Sequence, residues 1–303
     1  MNTATVKKKT KITKKDLLAF AFSFALGLSP ITAGVYPLGL SLLIASGKHR
    51  VYIMLGNALA ILFTGEGVFL PLVLNIFVYY IIRLSEKEKP CPIYLKLIIA
   101  TGCSILFSAK IYLGGIELFE DLVKLVFAAV SIPIFTALYS IYFDIRASAF
   151  PKALVDCSLV AFAFSGTLCF GLIKISDIPL SLVAGVIITM AASRAKGFLF
   201  GGVCGFFCGL ACNVPAIAAL GILGITYGLL EPSSPFLASA LSFMLSISGY
   251  AYLSDFVVPA VTVGMFVAGL LLFIPIKKYI KKNGQLSLKN PCLRRFSAPI
   301  VLN

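Results

Sequence analysis

Long apolar runs, cut at short intervals by charges or by Gly, Pro and Asn, make up nearly the whole of this chain. They occupy residues 17–29, 35–46, 51–63, 68–82, 96–113 and 122–143 in the first half. In the second half they occupy 154–173, 178–192, 197–212, 216–230, 236–253 and 256–276. A helix needs about 20 residues to cross the hydrocarbon, and tightly packed internal helices manage with somewhat fewer. The pattern predicts an all-α, polytopic transmembrane helical bundle of about 10–12 spans. The range arises because Ser29, Pro30 and Gly34 can kink one long segment, while Asn213 with Pro215 marks a tight turn.

Charge sets the expected topology. Lys and Arg concentrate where a loop faces the cytoplasm, and the bias is read in short flanks. With an even number of spans and both termini cytoplasmic, all but three of the 26 basic residues fall on the inner side, the exceptions being Lys110, Lys124 and Lys174. The outer loops then carry Glu66, Glu117, Glu120, Asp121, Asp177 and Asp255. The expected organisation is a basic cytoplasmic N-terminus over 1–15, a multispanning membrane domain over 16–276 and a basic cytoplasmic tail over 277–303. The sequence has no tryptophan. Tyr36, Tyr52, Tyr79, Tyr80, Tyr94, Tyr112 and Tyr279 stand near segment ends, where interfacial anchors are expected. Residues 1–33 have the basic start and apolar stretch of a signal peptide, but Ile31-Thr32-Ala33 is no clear cleavage site, so the stretch is read as the first span.

Composition narrows the chemistry. Of 303 residues 59% are hydrophobic and 13% charged, against roughly 45–50% and about 25% in soluble domains. A mean hydropathy of +1.00 leaves no soluble catalytic domain within these residues. Six of the eight cysteines, Cys103, Cys157, Cys169, Cys204, Cys208 and Cys212, lie inside apolar runs and read as small buried thiols rather than a disulfide frame. With His49 the single histidine, neither a His-rich zinc site nor a Ser-His-Asp triad can be assembled. No catalytic, cofactor-binding or metal residue is assigned.

The most specific local feature is the hairpin from Gly197 to Leu230. Gly197, Gly201, Gly205 and Gly209 recur every four residues, Cys204, Cys208 and Cys212 form a neighbouring stripe, and Gly221, Gly224 and Gly228 continue on the second arm. Such a face lets another backbone approach closely where lipid removes the hydrophobic drive, so these seven glycines are the expected helix-packing positions, within or between copies. A Cys-x3-Cys-x3-Cys metal site is the alternative, opposed by the cost of three thiolates in hydrocarbon.

Ionisable groups in the bilayer are candidates for function, since uncompensated charge there costs about 2.5–3.5 kcal/mol. Two possible intramembrane polar residues stand out. Asp156 either caps its helix from the interface or faces a cavity. Lys110 either snorkels or binds a substrate. Glu66 reads as a loop charge. Lys7, Lys8, Lys9, Lys11, Lys14 and Lys15 at one end, and Lys277, Lys278, Lys281 and Lys282 at the other, suit an anionic cytoplasmic leaflet. No aromatic-interleaved soluble patch accompanies them, so nucleic acid is not an expected partner.

The hairpin carries a resemblance. Gly201-Gly202-Val203-Cys204-Gly205, Gly209-Leu210-Ala211, Leu220-Gly221 and Gly228-Leu229-Leu230, with two more spans after them, resemble the multispanning N-terminal region of stage II sporulation protein E. Ser108-Ala109-Lys110 is similar to a small-small-basic stretch there, and the likeness covers about residues 16–276. The resemblance implies a membrane anchor at the asymmetric division septum of an endospore-forming bacterium, associating with itself and with cell-division proteins. There it carries a PP2C-type phosphatase that activates a sigma factor. That phosphatase uses manganese or magnesium held by aspartates, including an Asp-Gly pair. This sequence contains no Asp-Gly, so no catalytic residue and no cofactor carry over. The expected role is anchoring and assembly. The alternative is a small-molecule transporter, or the substrate-binding subunit of an energy-coupling transporter, because carriers also use broken, glycine-containing helices.

Overall fold

A computed structural model describes residues 13–31, 36–47, 49–64, 68–86, 91–113, 119–143, 150–175 and 178–282. Among them lie twelve helices, and the chain divides into two compact units, Met1–Pro133 and Ile134–Asn303. Among the described residues five helices are long and apolar enough to cross a membrane. Large apolar side chains such as Phe69, Leu199 and Phe236 point outward, 70–82% exposed, as a lipid-facing surface requires. The protein is a helical, multi-pass membrane protein.

The first unit begins with α1 (Lys14–Leu28), α2 (Leu38–Ala45) and α3 (Arg50–Thr64). It continues with α4 (Phe69–Ser85), α5 (Ile93–Leu113) and the first part of α6 (Phe119–Phe143). Thr13 starts α1 through a reciprocal capping box with Asp16. The eight residues of α2 are all buried, which makes it the centre of the unit. It ends at Ser46, ahead of His49, whose φ of 59° turns the chain into α3. A Cβ on Gly56 would strike the Phe20 carbonyl, so α1 and α3 touch backbone to backbone. Pro133 has no N–H to offer the carbonyl four residues earlier, Ala129, and the Ser104 hydroxyl from α5 donates to that carbonyl instead.

The second unit contains the rest of α6, then α7 (Lys152–Gly171), α8 (Ser181–Lys196) and α9 (Phe198–Leu210). It closes with α10 (Val214–Leu230), α11 (Pro235–Leu253) and α12 (Ala260–Lys282). Between α7 and α8 a minimal antiparallel pair departs from the all-α expectation. Strands β1 (Lys174–Ile175) and β2 (Ile178–Pro179) pair there, two residues each. Asn213 accepts from the Ala216 N–H and Ser234 from the Leu237 N–H, each with a proline in the first turn, so α10 and α11 start where the sequence provides cap and proline together. Val186, Met190, Leu220, Leu223, Tyr227, Phe266 and Phe273 form the core between α8, α10 and α12. Pro275 does not stop α12, which runs on through Lys282, past the expected boundary at 276.

Candidate functional site

Polar chemistry in the first unit collects around α2. The Asn57 amide donates to Asn75 Oδ1 at 2.9 Å, and Asn75 donates to the Met54 carbonyl at 3.0 Å. Both asparagines are buried, and a Cβ on Gly39 or Gly27 would run into Asn57 Oδ1. Ser23 Oγ donates to the Ile53 carbonyl at 2.7 Å. The C-terminal end of α2 is held by two cations. Lys96 Nζ donates to the Ala45 carbonyl at 2.7 Å, while the Arg50 guanidinium reaches the Ser46 carbonyl and the Glu86 carboxylate. Cations at this end satisfy orphan carbonyls and oppose the negative pole of the helix. Beside them Asp16 Oδ1 lies 2.5 Å from His49 Nδ1. Hydrogen bonds from Thr13, side chain first and then backbone, lower the Asp16 carboxyl to about 2, with His49 adding to the effect.

These residues were not singled out from sequence. Arg50 and Lys96 read there as loop charges, and an Asn inside an apolar run gives no sign of what it faces. Tyr79, expected as an interfacial anchor, is instead buried, with the Arg83 guanidinium 5.9 Å above its ring. Tyr80, Tyr94 and Tyr112 are exposed at 56–69%.

In the second unit the glycine hairpin is α9 against α10. A Cβ on Gly205 would meet the Leu220 carbonyl, one on Gly209 the Ala216 carbonyl, one on Gly224 the Gly201 carbonyl and one on Gly228 the Phe198 backbone. Gly201 abuts Ser193 of α8, whose hydroxyl donates to the Gly224 carbonyl at 2.8 Å. Two of the seven glycines differ. Gly221 has its nearest neighbours at 4.0 Å, room enough for a methyl group. Gly197 meets nothing within 4 Å and adopts φ +90°, so it makes the turn between α8 and α9 and not a helix contact. Gly185, Gly249 and Gly269 also lie against side chains of neighbouring helices, with no repeat in the sequence to mark them.

Cys204 and Cys208 are buried in this unit, and the cysteines of the described residues are free thiols. Among the described residues no three Cys, His, Asp or Glu side chains converge as metal ligands.

Asp156 does not cap α7. The helix begins at Lys152 after Pro151, and the Asp156 carboxylate, one turn in, pairs with Lys196 at the end of α8. Lys196 in turn stands 4.9 Å from the Phe200 ring. Nearby, Arg194 of α8 and Lys277 of α12 both reach Glu231 Oε1 at the end of α10, Lys277 at 3.8 Å. Lys110 is exposed in the last turn of α5. Glu66, residues 1–12 and residues 283–303 lie outside the described residues.

The arrangement ties helix ends together with ions and helix middles together with glycine and amide contacts. Comparison with family models, with curated proteins and with solved structures finds no match to this chain.

Proposed function

We propose that this chain is an anchoring and assembly protein of the cell membrane, of the kind the stage II sporulation protein E resemblance implies. Its two ends lie in the cytoplasm, and it works at the asymmetric division septum through self-association and contact with division proteins. One observation carries the reading. The three charged side chains buried among the described residues, Asp16, Arg50 and Lys96, are all engaged in fixing helix ends, to Thr13 and His49, to Ser46 and Glu86, and to Ala45. Charge committed to the scaffold suits a rigid platform, since freeing it for a solute would expose orphaned carbonyls and carboxylates at about 1–3 kcal/mol each. Five of the seven hairpin glycines, Gly201, Gly205, Gly209, Gly224 and Gly228, are closed by contacts within the chain, so self-association uses the exposed apolar faces of other helices.

A second reading rests on α2. A short, wholly buried helix with the Asn57–Asn75 pair against it is the kind of broken segment that carriers place at a midplane site.

A fluorescent fusion imaged through asymmetric division separates the two. Septal enrichment without solute uptake is expected; a uniform membrane label with measurable uptake would overturn the anchoring role in favour of the carrier.

A further inference from the structure

Inside α6 one helical hydrogen bond is lost at a proline, and the chain passes from the first unit to the second at that same residue. Pro133 offers no N–H to the Ala129 carbonyl and its ring crowds that oxygen, which is the usual cause of a sharp helix bend. Hydroxyls of the first unit hold the carbonyls around it. Ser104 donates to the Ala128 carbonyl at 2.8 Å and also to that of Ala129, and Ser41 donates to the Ile132 carbonyl at 3.3 Å. The hydroxyls that α6 itself carries behave differently. Ser131, Thr136 and Ser140, on both sides of the proline, are buried, and among the described residues their hydroxyls meet no partner. Ser165, Ser193 and Ser246, equally buried in other helices, instead close onto the carbonyl four residues back. Three open hydroxyls weigh against the arrangement that leaves them open, because hydrocarbon offers no replacement bond.

We infer that Pro133 is a hinge and that α6 has two arrangements. In the one described, Ser104 holds the Ala128 and Ala129 carbonyls and the three hydroxyls stay open. In the other, Ser104 releases them, the helix changes its bend at the proline, and Thr136 and Ser140 close onto carbonyls of their own helix. Residues before the hinge move with the first unit and residues after it with the second, so each unit stays a rigid body. The hinge is independent of the anchoring role: a platform or a carrier would use such a joint equally well, and the test below reads distances, not localisation or uptake.

The test is double electron-electron resonance on the detergent-purified full chain, with spin labels carried by noncanonical aromatic residues so that the native cysteines stay. One label pair replaces Tyr112 of the first unit and Tyr252 of the second, both exposed. The other replaces Tyr94 and Tyr112, both exposed on α5. The first pair is expected to give two distance populations and the second pair one. Pro133→Ala restores the missing N–H and should merge the two populations into one. Ser104→Ala should lower the population of the described arrangement about fivefold, the worth of one hydrogen bond. It leaves the proline in place, so the hinge stays open to refutation if Pro133→Ala fails to fold. A single distance for the first pair in the wild type, two populations that survive in folded Pro133→Ala, populations unmoved by Ser104→Ala, or an equal spread in the α5 pair would each overturn the hinge.

Discussion

The two units solve one problem by different means. In lipid, helices gain nothing from hiding apolar surface from one another, so they must associate by close packing or by polar bonds. The first unit relies mainly on polar bonds, with one backbone approach where Gly56 of α3 meets Phe20 of α1. The Asn57–Asn75 pair, the Ser23 hydroxyl on the Ile53 carbonyl and the Lys96 and Arg50 contacts at the end of α2 all lie between helices. The second unit relies on backbone approach along α9 and α10, with its ion pairs confined to helix ends. The difference teaches where each unit tolerates change. A glycine contact fails for steric reasons as soon as a methyl appears, whereas a polar bond can be lost while the packing around it survives.

The largest effect is expected at Gly205. A Cβ there meets the Leu220 carbonyl, a backbone atom that cannot rotate away, so Gly205→Ala should cost about 2–3 kcal/mol, near the upper end for overpacking. Gly221→Ala, in the same hairpin but with 4.0 Å of clearance, should be neutral or slightly stabilising through helix propensity. Denaturant titration of the two purified variants checks this contrast, and equal losses would show that the hairpin does not pack as described.

An intermediate effect is expected in the first unit. Lys96→Met leaves the Ala45 carbonyl without its charged donor but also relieves the burial of an ammonium. These terms oppose one another, and the net loss should be about 1–2 kcal/mol. The same titration reads it, and a loss as large as that of Gly205→Ala would erase the distinction between the units.

The smallest effect comes from Asp16. Its carboxyl is lowered from the ordinary 3.8 to about 2, so the folded state binds the proton less readily than the unfolded chain. The resulting stability is fully present above about pH 4 and is lost as pH falls toward 2. Melting temperature measured across that window should drop in the wild type and flatten in Asp16→Asn. A flat wild-type profile would mean that the Thr13 capping box and His49 do not hold the carboxylate.

Helix positions were largely legible in the sequence, because each apolar run is bounded by residues that end or cap helices. Asn213 with Pro215, read as a tight turn, acts locally and needs no distant partner. Ends set by longer-range contacts were less legible: α12 continues past Pro275, and Asp156 pairs across to Lys196 instead of capping its own helix. The four-residue glycine spacing pointed to a close-packed face, yet it could not distinguish Gly205, which has a backbone against it, from Gly197 and Gly221, which do not.

By itself, the sequence determined the membrane character, the order of the helices and the crowding of basic residues near their ends. Those follow from hydropathy and local stereochemistry, which each segment carries alone. Only the tertiary structure decided that α2 is wholly enclosed, that Arg50 and Lys96 close its end, and that Arg194 and Lys277 share Glu231. Those groups lie tens of residues apart along the chain. Their meeting depends on how whole helices pack, which no local pattern encodes.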